Sequence, residues 1–345
     1  MTAIAPDAGR GPDLLAQQRA SRAAAAEKAA RVGTLLERYG VLVPFVLVAV
    51  VAAVFAPNFV SGANLRNVAV DGSLLAIVAY GMTLVIALRG LDLSVGSTQA
   101  LTAVVTGTFV NSYGLLPGIV AGLAVGALVG LVNGVLVAYL RVPAFVATLG
   151  TLGIARGAAL VVTNGGSVLL KDDSIGGLAN GRLLGVPVPL LLALALLVVM
   201  YLLLESTPFG RHVCAVGGSP EAAVESGIGV RRVTVLAFVV VGTAAGLAGV
   251  LLTSQLGFVD GTLGVGLELQ AIAVAVLGGT SLVGGAGNMA GTFVGALLLA
   301  MIAAALNLLN IPSYYQYMAT GVLLLFALSL DTLRRTVQRS RLEMG

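Results

Sequence analysis

The stretch Leu115–Leu140 reads LLPGIVAGLAVGALVGLVNGVLVAYL and contains no charged residue. About 20 mainly apolar residues suffice to cross the ~30 Å hydrocarbon core of a bilayer as a helix, so a transmembrane span is predicted here. Within it Gly122, Gly126, Gly130 and Gly134 recur every fourth residue. That period puts them on one helix face, where a neighbouring backbone can approach closely. Gly242 with Gly246, and Gly287 with Gly291 and Gly295, repeat the device.

The rest of the chain has the same character. Of 345 residues, 58% are hydrophobic and 10% charged, with a mean hydropathy of +1.02. A soluble domain carries about 25% charged residues, so there are too few charges here to cover soluble globular surfaces, and disorder is excluded on the same grounds. The expected fold is an all-α, polytopic transmembrane helical bundle. Apolar runs mark about ten spans, at 40–57, 67–88, 93–111, 115–140, 143–163, 186–205, 232–256, 266–283, 288–309 and 314–330. Spans 93–111 and 266–283 are short enough to be broken or re-entrant instead. Residues 1–39 read as a cytoplasmic N-terminal tail, whose part Leu14–Tyr39 is either an amphipathic surface helix or partly disordered. Residues 40–330 form the membrane domain and 331–345 a C-terminal tail.

Arginine and lysine set the orientation. With the N-terminus inside, the inner segments hold the tail arginines, Arg89, Arg141, Arg211, Arg231, Arg232, and Arg334, Arg335, Arg339 and Arg341; the outer ones hold only Arg66, Lys171 and Arg182. An even number of spans, with both termini cytoplasmic, fits this bias. Arg141-Val142-Pro143 and Asn310-Ile311-Pro312 each open the last span of a five-span half, from opposite sides, as a 5+5 inverted repeat requires.

Several chemistries are excluded. One cysteine (Cys214) and one histidine (His212) leave no disulfide, cysteine cluster or His-based metal site. The lysines Lys28 and Lys171 are followed by Ala and Asp, so no P-loop is present. No cofactor is expected. Clustered acids, bases and ligands are missing, which argues against an enzyme. The basic residues sit at membrane borders and are no nucleic-acid footprint; the bilayer is the expected surrounding.

The polar positions that remain are few. In Gly90–Ser97, GLDLSVGS, an Asp before Ser-x-Gly-Ser looks like a helix start. Asp92 or Ser94 either caps backbone N–H groups beside a pathway or closes a tight cytoplasmic hairpin with Arg89. The polar loop 206–232 carries a helix signature: Ser219 as N-cap, Pro220 at the first helical position, Glu221 and Glu225 in the early turns and Gly227 as terminator. A helix shown on the cytoplasmic face suits docking of another protein. Arg156, about 20 Å into its span, either meets a polar ligand or pairs with a carboxylate such as Asp71. Asn133, Gln255, Gln270 and Asn307 either line a pathway or bridge helices. The glycine-rich stretch Gly278–Gly287 fits a contact with the motor or a broken helix at a gate. The stretch 164–187 is either a docking surface on the outside or an ordinary loop.

These blocks resemble a known family. Gly90–Ser97 resembles the hallmark of permease subunits of bacterial ABC importers for simple sugars, the ribose, xylose and galactose type. The likeness continues in Arg141–Leu149, Arg156-Gly157, Thr163–Gly165, Gly210-Arg211 through Gly227-Ile228, Val276–Gly285 and Ser313–Gln316, in the family's order from about residue 55 to 330. Leu91 and Gly218-Ser219-Pro220 are mild departures. The resemblance implies a multi-pass protein of the bacterial cytoplasmic membrane, paired with a second permease copy. It implies a cytoplasmic ABC ATPase docked on the 206–232 loop and an extracytoplasmic sugar-binding protein, and hence import of a pentose or hexose. Glu221-Ala222-Ala223 followed by Gly227 resembles the coupling motif of ABC importers, which assigns Gly210, Arg211, Glu221, Ala222, Ala223 and Gly227 to ATPase coupling. Asp92, Ser94, Asn133, Arg156, Gln270 and Asn307 are the candidates for the substrate pathway. A permease for branched-chain amino acids and an ion-coupled secondary transporter, for which Asp71 is the clear intramembrane carboxyl, are the alternatives.

Overall fold

The computed structural model describes residues 40–171, 175–312 and 314–323, together with 325 and 329. The expected tails 1–39 and 331–345 lie outside the described residues. The helices are α1 Leu42–Phe55, α2 Gly62–Ala87, α3 Val95–Tyr113, α4 Leu115–Ala138 and α5 Ala144–Val162, then α6 Gly176–Asn180 and α7 Val188–Ser206. They continue with α8 Pro208–Gly218, α9 Pro220–Glu225, α10 Val230–Leu256, α11 Leu267–Leu277 and α12 Met289–Leu308. Residues 314–323 are again helical and are called α13. Four short strands, β1 Ser167–Leu169, β2 Arg182–Leu183, β3 Val186–Pro187 and β4 Phe258–Asp260, complete the described elements.

Among the described residues six helices (α2, α4, α5, α7, α10 and α12) are long and apolar enough to cross a membrane. This makes the chain a polytopic helical membrane protein. Of the two readings of 266–283, the shorter element is found: its helix α11 has 11 residues and stops at Leu277, because Gly278 and Gly279 (φ +103°) turn the backbone away. The segment 93–111 becomes α3, entered from a non-helical stretch at 88–94.

α2 runs through the middle of the bundle, with Tyr80, Met82 and Leu84 fully buried. Around it α4, α5 and α7 turn leucine and valine outward; Leu128 is 58% exposed and Val161 76%. Such faces suit lipid, where every backbone group is satisfied within a helix. The glycine rows act as expected. α4 and α10 run antiparallel in contact, and a Cβ on Gly126 would stand 2.5 Å from the Gly242 carbonyl oxygen. α12 packs on α11 the same way, where a Cβ on Gly291 would fall on the Gly278 carbonyl. α4 packs on α10 and α12 on α2, while α3 touches α4 and α10 as α11 touches α12 and α2.

At one end of the bundle the described parts of the stretch 164–187, residues 164–171 and 175–187, are built from small elements. β1 pairs antiparallel with β4, Ser167 opposite Asp260, and β2 pairs with β3. Leu184 (φ +53°) and Gly185 (φ +83°) form the hairpin turn, and two successive left-handed residues match the twist of a tight hairpin. Its tip, Leu184, is 96% exposed.

Candidate functional site

The loop 206–232 folds into two capped helices. Ser219 Oγ accepts from Ala222 N at 3.2 Å, Pro220 opens α9, and Glu221 lies in its first turn. Gly227 follows with φ +77°, a left-handed stop that glycine adopts freely. Ala223 is buried and holds α9 down, while Glu221, Ala222 and Val224 are exposed. Sequence reasoning missed α8, although Thr207-Pro208 repeats the Ser219-Pro220 signature: Thr207 Oγ1 accepts from Gly210 N at 3.2 Å. Gly210 is buried at the α7–α8 corner, where a Cβ would fall on the Leu204 carbonyl; Arg211 is exposed.

α8 rests on the glycine-rich stretch. A Cβ on Gly217 would fall on the Ala87 carbonyl oxygen, which already accepts from Gly285 N at 2.8 Å. Arg89 Nε donates to the Val283 carbonyl at 2.6 Å. The stretch Gly278–Gly287, the end of α2 and α8 therefore form one seat. Beside it Arg141, Arg231, Arg232, Tyr139 and Val224 line a hollow of about 770 Å³, with the Arg231 guanidinium 5.5 Å from the Tyr139 ring centre.

Asp92, Ser94 and Asn133 come together. Asp92 Oδ1 accepts from Ser94 N at 2.8 Å and from Ser94 Oγ at 2.6 Å. Asn133 Nδ2 donates to Ser94 Oγ at 2.9 Å and to Asp92 Oδ2 at 3.4 Å. Thr151 Oγ1 completes the set, donating to Asn133 Oδ1 at 2.7 Å, and Thr148 Oγ1 donates to the Leu91 carbonyl at 3.2 Å. The expected side-chain cap is not formed: Ser94 is the N-cap residue of α3 and neither its own hydroxyl nor Asp92 accepts from an N–H of the first turn. Asp92 instead turns back on Ser94 N, one residue before the helix, and meets Asn133 and not Arg89. All these polar atoms are spent on one another, so the cluster ties the non-helical segment 88–94 to α4 and α5.

Arg156 stands apart from it. Its Nη1 donates to the carbonyls of Gly261 and Leu263 at 2.7 and 2.6 Å, holding the loop that leads into α11. The suggested pair with Asp71 is not formed: Asp71 Oδ1 accepts from Gln255 Nε2 at 2.8 Å, a bond between α2 and α10. Gln270 lies near Asp71, both lining a cavity of about 160 Å³ with Gln316 and Thr320. Asn307 Oδ1 accepts from Gln316 Nε2 at 2.8 Å. The six pathway candidates thus divide into a closed cluster of Asp92, Ser94 and Asn133, a loop clamp at Arg156, the cavity residue Gln270, and Asn307 bonded to the cavity residue Gln316.

Comparison with known proteins identifies the family of the chain. Residues 64–328 match the family described as branched-chain amino acid transport system, permease component. The L-arabinose ABC transporter permease protein of Azospirillum brasilense is 36% identical over 307 residues, covering 89% of this chain and 91% of that one. The ribose import permease proteins of Escherichia coli strain K12 and Bacillus subtilis are 40% and 39% identical, each over 86% of this chain and 94% and 93% of their own. No solved structure matches the chain significantly. Family match and long relatives together establish that this chain belongs to the permease family of ABC transport systems, as its pentose-permease relatives do.

Proposed function

We propose that the chain is the membrane subunit of an ABC importer that carries a simple sugar, a pentose or hexose, across the bacterial cytoplasmic membrane. The observation that carries this is 36–40% identity, over nearly the whole chain, to L-arabinose and ribose permeases. Two copies enclose the pathway. A separate ATPase seats α8 and α9 in its surface, with Glu221, Ala222 and Val224 as the outward contacts and Arg211, Arg231 and Arg232 as the basic surround. Gly210 and Gly227 set the corners, and Ala223 fastens the helix. A sugar-binding protein docks at the opposite end, on the 164–187 elements with Leu184 at their tip. Ten spans, both termini inside and a 5+5 inverted repeat complete the topology; the reciprocal packing of α4 on α10 and α12 on α2 supports the repeat.

The family description favours a second cargo, branched-chain amino acids. Uptake separates the two: the sugar reading expects pentose or hexose accumulation that excess leucine does not suppress. Glu221→Arg tests coupling. It is expected to abolish accumulation and ATPase association while membrane insertion stays normal; undiminished uptake rejects the assignment of α9.

A further inference from the structure

We propose that Asp71, Gln270, Gln316 and Asn307 form a hydroxyl-binding subsite for a neutral monosaccharide, in the half of the bundle remote from α8 and α9. The proposal rests on the sugar-permease reading and assigns it a location. Asp71 lies on α2 nine residues after Gly62, about 14 Å along the helix, while Ala87, which seats α8, is about 24 Å further on. Gln270 from α11 and Gln316 and Thr320 from α13 line the same cavity as Asp71, while Gln255 from α10 and Asn307 from α12 stand behind the lining, bonded to Asp71 and Gln316.

Much of their hydrogen-bonding capacity is unspent. Gln255 occupies only Asp71 Oδ1, and Gln316 Nε2 only Asn307 Oδ1. Among the described residues no protein group bonds Asp71 Oδ2, Gln316 Oε1 or the Gln270 amide. Asp71 and Asn307 are exposed on the single protomer. A carboxyl group and several amides facing lipid would be costly, so this face looks onto water between permease copies. The chemistry fits a polyol. A carboxylate accepts from hydroxyls, amides both donate and accept, and Leu75, Leu299 and Ile302 offer an apolar wall to the C–H face of a ring. The cavity of about 160 Å³ holds several times the ~30 Å³ of a liquid water. Among the described residues no basic side chain lines it; a sugar acid or sugar phosphate would bury its charge unpaired, which is strongly unfavourable.

The test uses the full chain reconstituted with its ATPase and binding protein, with radiolabelled D-ribose, L-arabinose, D-xylose and D-galactose. Wild type taking up none of them rejects the sugar reading and the subsite with it. Wild type taking up one, with Asp71→Asn, Gln270→Ala and Gln316→Ala each slowed at least fivefold while ATP hydrolysis persists, supports the subsite. Transport within twofold of wild type in all three overturns the subsite alone. A second measurement does not depend on turnover. Gln316→Cys in a Cys214→Ser background, held in nanodiscs, should react with a membrane-impermeant thiol reagent, and the transported sugar should slow labelling at least threefold while its aldonate does not. An unreactive Cys at 316, or equal protection by sugar and aldonate, also overturns it.

Discussion

Gly217 of α8 lies against Ala87 at the end of α2 so closely that a Cβ on Gly217 would occupy the position of the Ala87 carbonyl oxygen. The helix α8, which the proposal seats in the ATPase, thereby rests directly on the backbone of α2, the most buried of the candidate membrane spans. No side chain stands between the two backbones at this contact.

Gly217→Val is therefore expected to lift α8 from its seat. Overpacking of this kind costs about 1–3 kcal/mol, little enough for insertion to persist. Sugar accumulation in cells should fall at least tenfold at unchanged protein level, read by uptake and immunoblot. Gly218→Val next door, where nothing lies within 4 Å of a Cβ, should be mild by comparison.

Glycines of the two faces should differ in the same way. Gly126→Ala places a methyl 2.5 Å from the Gly242 carbonyl oxygen and should lower thermal stability in detergent by several degrees. Gly153→Ala on α5 meets nothing within 4 Å and should be neutral or stabilising by up to about 1 kcal/mol, because Ala loses less backbone freedom in a helix. Equal melting shifts for the two would contradict the packing of α4 on α10.

Asn133→Leu removes the shared partner of Asp92, Ser94 and Thr151. Buried polar groups left without partners cost about 1–3 kcal/mol each, so the variant should lose more stability than Thr151→Val, which breaks one bond at the edge of the cluster. Thermal unfolding monitored by the exposure of Cys214 measures the difference.

Cys214 supplies a pH test outside the membrane spans. Burial pushes its thiol up from the ordinary range, and the Glu205 carboxylate adds to the shift. A raised pKa means less thiolate at a given pH, so maleimide labelling of native protein at pH 7.5 should be slower than that of free cysteine. The rate should go on climbing with pH beyond the point where a free thiol has levelled off. Glu205→Gln should recover part of the rate, and denatured protein all of it.

Much of this was legible in residue order alone. Uninterrupted apolar runs and a dearth of charge require a membrane bundle, because no other solvent accepts that surface. Glycine at every fourth position requires close backbone packing. Ser219-Pro220-Glu221 and Gly227 specify a short capped helix, since cap, first-turn and stop chemistry are local. What sequence order could not settle was partnership between distant residues. Arg156 had an acid available in principle, yet it holds the carbonyls of Gly261 and Leu263, and Asp71 goes to Gln255. Arg89 bonds Val283 and leaves Asp92 to Asn133. Such choices depend on which helix faces meet, and those are fixed by the summed packing of α2, α4, α10 and α12, not by any one segment. The same packing gathered Asp71, Gln270 and Gln316 around one cavity, with Asn307 bonded to Gln316 beside it; only the fold brings together side chains more than two hundred residues apart.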